Sequence, residues 1–563
     1  MSDASSLRRL NSEQGFEMQK NGDEQFVITS ASGSSSSISH EFTDGNDREY
    51  SAINDSIESL KPSPMVFLLT ILTCFCGFMF GYDTGYISGA LVVIGKDLGG
   101  HLTDGDKELI TSATSLGAFI TALIGGGLAD TFGRKWVISF ANIMFIVGGG
   151  MQTGAHTKWT MIVGRFIMGW GVGLASLVAP IYLSELAPTR FRGRLVVLNV
   201  LAITLGQLIA YGIGAGLTNV KNGWRILVGL SLIPSSLQMV LFVFMPETPR
   251  YLILRDRLDE ARKVLTKVYQ GASEKQLNDR VSEIKSEILA PPVVAGPNAT
   301  RKEKAKAAFQ SFCINFKELF RSAANRRALS IVVALQLFQQ FSGWNALMYY
   351  SGTMFKSVGF DDPTSVSIII AATNFVFTIV AFLIIDKVGR RILLVGTMWG
   401  MSLGLIICAI AFHYLPFDTS DSAAVQDVLS GPEQKWGIVV IVFVFVFAAS
   451  YATGIGNVPW QQSEMLPMNV RGIGTSFATA ANWAGSLIVS ATFLTMLNNI
   501  TPTGTFAFYA GICALGEVLA LFFYPETAGL NLEDVHTLLE NGYQVKESVR
   551  LSKQKRQLYQ ARH

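Results

Sequence analysis

The chain has 563 residues, 49% of them hydrophobic and only 15% charged, with a mean hydropathy of +0.35. That is too apolar for a soluble domain of this size and points to repeated membrane crossing. A net charge of +3, not gathered into one basic face, excludes nucleic acid as a partner, and no P-loop pattern offers an ATP engine.

Residues 1–64 are polar and serine-rich, with no apolar core behind a basic start. They are expected to form a disordered cytosolic tail, not a signal peptide. Twelve apolar spans follow, over about 65–95, 108–129, 136–155, 159–181, 195–217, 224–245, 329–356, 365–386, 392–414, 436–459, 472–497 and 503–524. The charged, partly helical stretch 246–328 divides them into two sets of six, so 65–245 and 329–524 are expected to be six-helix bundles. Residues 525–563 form a short basic tail with Lys553, Lys555, Arg556 and Arg562, suited to contact with anionic lipid or to a role in turnover. The cysteines (Cys74, Cys76, Cys313, Cys408 and Cys513) lack metal-ligand spacing and read as packing residues, so no metal and no cofactor is expected.

In the first span Asp83 is the only formal charge between Met65 and Ile94. A carboxylate there costs roughly 2.5–3.5 kcal/mol on an insertion scale, which favours a functional role over an aspartate reaching water near a helix end. The connections after spans two, four, eight and ten carry Arg134 and Lys135; Arg190, Arg192 and Arg194; Lys387, Arg390 and Arg391; and Arg471. The opposite connections are poorer in Lys and Arg, so both termini and the long loop are expected in the cytoplasm.

The two halves repeat one another. Ser184-Glu185-x-x-Pro188-x-x-x-Arg192-Gly193 recurs as Ser463-Glu464-x-x-Pro467-x-x-x-Arg471-Gly472, and Pro246-Glu247-Thr248 as Pro525-Glu526-Thr527, both 279 residues later. Asp130-x-x-Gly133-Arg134-Lys135 recurs as Asp386-x-x-Gly389-Arg390-Arg391, 256 residues later. Parallel six-helix repeats of this kind place a site at their interface near the midplane. The acids and bases of these motifs, with Arg250, could pair across neighbouring helices and with helix termini to latch the cytoplasmic face. Interfacial anchoring and topology signalling are the simpler alternative.

These motifs, with Gly81-Tyr82-Asp83-Thr84-Gly85, Gly164-Arg165-Phe166, Pro246-Glu247-Thr248-Pro249-Arg250 and Gln339-Gln340-Phe341-Ser342-Gly343, resemble the sugar-porter branch of the major facilitator superfamily over about 65–530. The stretches 85–88, 454–464, 482–486 and 499–506 resemble the fungal myo-inositol–proton symporters within it. The fold implied is an all-α membrane protein of twelve transmembrane helices in two pseudo-symmetric bundles, with cytoplasmic helices in the central loop. The function implied is proton-coupled uptake of myo-inositol or a related polyol across the plasma membrane by a carrier that is not an enzyme. Its partners would be substrate, protons and membrane lipid, and it would work as a monomer. A proton–hexose symporter, a facilitative hexose carrier and a transporter-like nutrient sensor are the competing readings.

A cyclic polyol presents hydroxyls at its rim and C–H faces above and below, so its site needs amides and aromatic surfaces. Span seven supplies Gln339, Gln340 and Asn345 around Gly343, a possible helix break, with Tyr349 and Tyr350 beyond. Other spans supply Gln207, Asn374, Trp460, Asn482 and Trp483. The resemblance implies sugar-binding roles for Gln339, Gln340, Asn345, Asn374, Trp460 and Asn482; any one amide alone could equally be an interhelical hydrogen bond. Val200 and Ile455 depart from residues usual in aldose carriers, and Glu517 in span twelve has no assigned role. In the resembling symporters the residues matching Asp83 and Arg165 form the proton-coupling pair. Separating a buried carboxylate from a guanidinium tightens its hold on a proton.

Overall fold

Apolar spans must satisfy their backbone internally, and the computed structural model of the chain does so with helices. It describes residues 16–21, 25–30, 63–186, 192–288, 300–357, 363–415, 432–459, 465–467, 470–530 and 532–561. Residues 1–60 form a unit of their own. There, strands β1 (Phe16–Asn21) and β2 (Gln25–Ser30) pair antiparallel, with Phe16 opposite Ser30 and Asn21 opposite Gln25.

Residues 61–563 form the second unit. Its first set of spans comprises α1 (Pro64–Val93), α2 (Asp104–Phe132), α3 (Arg134–Thr153), α4 (Lys158–Leu186), α5 (Arg192–Leu217) and the broken pair α6 (Gly223–Gly229) and α7 (Leu232–Phe242). The central segment holds α8 (Pro249–Leu254), α9 (Leu258–Val268), α10 (Glu274–Ile288) and α11 (Arg301–Arg321). The second set comprises α12 (Ala323–Phe341), α13 (Trp344–Ser357), α14 (Pro363–Val388), α15 (Arg390–His413), α16 (Pro432–Thr453) and α17 (Arg471–Phe523), followed by α18 (Leu532–Glu540) and α19 (Val545–Ala561).

Among the described residues, ten segments are long and apolar enough to cross a membrane. Of these, α17 has 53 residues and holds two crossings, parted where Thr501 adopts φ 71° before Pro502. One further crossing is the pair α12 and α13, interrupted at Gly343 with φ 85°, so the twelve expected crossings are accounted for. The helix starts follow local chemistry. Thr103 and Asp106 form a capping box at α2, and Thr300 with Glu303 does the same at α11.

Close packing fixes where the polar residues point. A Cβ added at Gly81 of α1 would come within 1.8 Å of the Ile203 carbonyl oxygen on α5, so only glycine permits this approach. Across the two halves, α2 packs along α17, α5 against α14, and α1 against α13. The C-terminal helices are docked onto the bundle. Arg327 Nη1 donates to the carbonyls of Leu539 and Glu540 at 2.6 and 2.8 Å. Lys555 pairs with Asp534 at 2.5 Å, and Arg556 Nη1 donates to the Lys387 carbonyl at 2.9 Å, so two of the tail's basic side chains are engaged within the protein.

Candidate functional site

Asp83 and Arg165 meet inside the first half. Arg165 Nη1 donates to Asp83 Oδ1 at 2.6 Å, and both side chains are almost completely removed from solvent. The Tyr86 hydroxyl, one turn on from Asp83, lies 2.7 Å from Asp83 Oδ1 and 2.8 Å from Gln152 Oε1. It has one proton to give, so it can donate to only one of them at a time. Arg165 Nε donates to the Ile110 carbonyl at 3.3 Å, and its guanidinium stands 5.8 Å from the Tyr86 ring centroid. Thus α1, α2, α3 and α4 each contribute to a buried charged cluster. Tyr86 and Gln152 were not singled out from sequence as site residues. Neither carries a charge that would mark it in an apolar span; Tyr86 follows Asp83 at helical spacing, and the full burial of Gln152 is seen only in the structure.

The second constellation is an amide network in the other half, built around the interruption at Gly343. Asn482 Nδ2 on α17 donates to Gln336 Oε1 at 2.6 Å and Gln339 Oε1 at 2.7 Å, while its Oδ1 accepts from Gln340 Nε2 at 3.0 Å. Asn345 Nδ2 donates to Gln340 Oε1 at 2.6 Å and reaches Ser486 Oγ at 3.4 Å. Gln339 Nε2 turns to the carbonyls of Ile455 and Gly456 at 3.0 and 3.1 Å. Ile455, noted as a departure in side chain, therefore contributes through its backbone. Gln336, unremarked in the sequence, stands one helical turn before Gln340 on the same face.

The network touches the first half at Ser486, whose Oγ lies 3.0 Å from Ser115 Oγ. Tyr349 is buried near both serines and near Asp83. Trp483 Nε1 donates to Ser176 Oγ at 3.1 Å and its ring meets Phe80 edge-on at 5.2 Å, both across the halves. Asn374 Nδ2 donates to Gln207 Oε1 at 2.9 Å, a separate bridge between α14 and α5. Tyr350 is also buried, with its hydroxyl on the Ser490 carbonyl at 2.6 Å. Trp460 lies outside the described residues.

Of the charged residues expected to latch the cytoplasmic face, Arg134 bridges the exposed Asp130 and Glu185, at 2.9 Å each, within the first half. Glu247 accepts from the backbone N–H of Arg134 at 3.1 Å and of Lys135 at 3.3 Å, at the start of α3. Glu526 repeats this at α15, accepting from the N–H groups of Arg390 and Arg391 at 3.1 and 3.3 Å. The two repeated glutamates therefore serve helix N-termini, where a negative charge is favoured. Arg250 acts on Asp130 through space. Arg471 Nε donates to the Leu466 carbonyl at 3.2 Å. Glu464 lies outside the described residues, as do the side chains of Arg192 and Asp386.

Gly133, with φ 100°, precedes α3, and a Cβ there would fall 2.3 Å from Glu247 Oε2. Gly133→Ala is therefore expected to lose about 1–3 kcal/mol from backbone strain alone, read as a lower Tm of the purified protein.

At the opposite end, Ser88 of α1 lies 3.4 Å from Ser351 of α13, and Glu108 of α2 accepts from Thr495 N at 2.8 Å and Thr495 Oγ1 at 2.7 Å. Glu108 was another omission, although it is a carboxylate near the start of an apolar span. Glu108→Ala leaves the Thr495 hydroxyl without its acceptor, and a loss of about 1–3 kcal/mol is expected, measurable as a lower Tm that Glu108→Gln partly restores.

The family model for sugar (and other) transporters matches residues 69–539. The chain is 51% identical over 496 residues to myo-inositol transporter 1 of Saccharomyces cerevisiae, covering 88% of this chain and 82% of the relative. It is 48% identical over 543 residues to myo-inositol transporter 1 of Candida albicans, covering 96% and 95%. Its structure resembles the proton:xylose symporter XylE bound to 6-bromo-6-deoxy-D-glucose, with a TM-score of 0.67 and 26% identity over 84% of this chain and 99% of that one. It also resembles the inward open conformation of XylE from E. coli, with a TM-score of 0.65 and 26% identity over 84% and 99%. A membrane-spanning chain with the major facilitator fold, matched by this family model along most of its length, belongs to the sugar (and other) transporter family.

Proposed function

We propose that this protein is a proton-coupled importer of myo-inositol that works by alternating access, as a monomer, in the plasma membrane with both termini cytoplasmic. The observation that carries the reading is the buried Asp83–Arg165 pair in one half facing an amide network in the other. The identity to fungal myo-inositol transporters and the likeness to a proton:xylose symporter support the substrate class and the coupling.

Gln207, Gln339, Gln340, Asn345, Tyr349, Asn374, Trp460, Asn482 and Trp483 form the polyol site in this reading. Amides that now bond to one another exchange those bonds for ring hydroxyls, which both donate and accept. Protonation of Asp83 from outside removes the charge that holds Arg165 and frees α1 to move. Inward opening restores the pair and returns the proton to the cytoplasm. The charged motifs at the cytoplasmic helix ends, Asp130, Arg134, Glu185, Arg192, Glu247, Arg250, Asp386, Arg390, Glu464, Arg471 and Glu526, hold that face in register.

Purified protein in proteoliposomes, offered labelled myo-inositol with and without an inward proton gradient, tests the proposal. Gradient-driven accumulation that excess glucose does not suppress is expected. Dominant inhibition by glucose would sink the inositol assignment, and accumulation indifferent to the gradient would sink the coupling.

A further inference from the structure

Glu517 is buried in the second crossing of α17, and neither carboxyl oxygen has a hydrogen-bond partner among the described residues. The internal repeat supplies its comparison. Glu517 and Gln238 occupy equivalent places, each eight residues before the shared Pro-Glu-Thr. Gln238 is fully buried too, and its Nε2 donates to the Leu72 carbonyl at 2.6 Å and to Cys76 Sγ at 3.2 Å. Its Oε1 also lacks a partner among the described residues. In both halves, then, the described residues offer no donor to the side-chain oxygen at this position. A neutral amide tolerates that, whereas an ionised carboxylate, which only accepts, does not.

The surroundings sharpen the point. Phe338 of α12 and Met398 of α15 line the adjacent position at Gly516. The cation that acts on Glu517 is Arg391 of α15, and its guanidinium is held by other acceptors. Arg391 donates to the carbonyls of Ala520 at 2.7 Å and Leu521 at 2.8 Å, and to that of Tyr524. Its counterpart Lys135 likewise donates to the Val243 carbonyl, at 2.8 Å, closing the matching helix end. The other titratable groups nearby are Cys513 on α17 and, beyond Arg391, Tyr524 and Glu526. On α12 the ionisable residues are Arg326 and Arg327, both bound to backbone carbonyls at its far end.

We propose that Glu517 is a second proton-binding site of this carrier, occupied as the neutral acid in this conformation. It ionises when movement at the cytoplasmic end transfers the Arg391 guanidinium from the α17 carbonyls to the carboxylate. The proton then passes to water, and the new negative charge is balanced by Arg391. Unlike Asp83, which is already paired with its arginine, Glu517 makes no bond to Arg391 here, although both lie within one half.

Infrared spectra of the full-length protein in lipid, at neutral pH, test this directly. The wild type is expected to show a protonated-carboxyl C=O band that Glu517→Gln lacks and Asp83→Asn keeps. The amide at Gln238 indicates that Glu517→Gln fits its site. Arg391→Gln is a second arm, expected to retain the band to a pH at least one unit higher than the wild type. Identical carboxyl spectra for wild type and Glu517→Gln would overturn the proposal, as would an unchanged titration in Arg391→Gln. A band lost in Asp83→Asn but not in Glu517→Gln would assign the proton to Asp83 and likewise overturn it. The Asp83 coupling reading is judged separately, by transport.

Discussion

Asp83→Asn is expected to leave a carrier that exchanges labelled myo-inositol across the membrane but cannot concentrate it. For one proton per substrate, each unit of pH difference supplies about 1.4 kcal/mol, enough for roughly tenfold accumulation. The wild type should approach that ratio in proteoliposomes, and the variant should settle near unity whatever gradient is imposed. Asparagine keeps an oxygen for Arg165 Nη1 and the Tyr86 hydroxyl, which sit 2.6 and 2.7 Å from Asp83 Oδ1 in the wild type. It takes away the charge that proton binding would neutralise. It also leaves Arg165, fully buried, without its counter-charge. Breaking a buried pair costs roughly 3–5 kcal/mol, and the retained acceptor should hold the loss at or below the lower end. Counterflow separates the two consequences, because a merely unstable protein loses exchange together with accumulation. Asp83→Asn that still accumulates inositol against its gradient would refute the coupling role.

The charged pair was legible in the sequence because charges in apolar spans are costly and therefore few. Asp83 stood out for that reason, and Arg165 offered itself as a partner. The crossings were legible from hydropathy, and the interruption at Gly343 from a glycine beside clustered amides. Tyr86, Gln152 and Gln336 carry no charge, and a single hydroxyl or amide in a span has many uses, so their roles emerge only from distances. Glu247 and Glu526 show another limit. The repeat announced them, but a sequence does not say whether a carboxylate meets a guanidinium or the backbone N–H groups of a helix start. The docked helices α18 and α19 were hidden behind a basic composition that reads equally well as a lipid-facing tail. Their attachment depends on Arg327 and Arg556 finding backbone carbonyls, which no spacing rule foretells.

Asn482→Ala is expected to weaken myo-inositol binding about a hundredfold, or roughly 2.7 kcal/mol. This one side chain orients three glutamines, donating to Gln336 and Gln339 and accepting from Gln340. Its loss leaves two amide oxygens and one amide nitrogen without their partner in a buried site, at about 1–3 kcal/mol for each group that finds no replacement. The glutamines then turn toward one another or toward water, and the site is no longer arranged in advance for ring hydroxyls. Asn482→Asp is the sharper variant, since it preserves shape and the acceptor to Gln340. When ionised it sets a carboxylate oxygen against the Gln336 and Gln339 carbonyls, so binding should fall at least as far as in Asn482→Ala and recover at low pH, where the acid can donate again. Calorimetric titration of the purified variants with myo-inositol reads both effects, with Tm as the control for folding. Wild-type affinity in Asn482→Ala would return these amides to the role of interhelical bonds and move the polyol site elsewhere in the carrier.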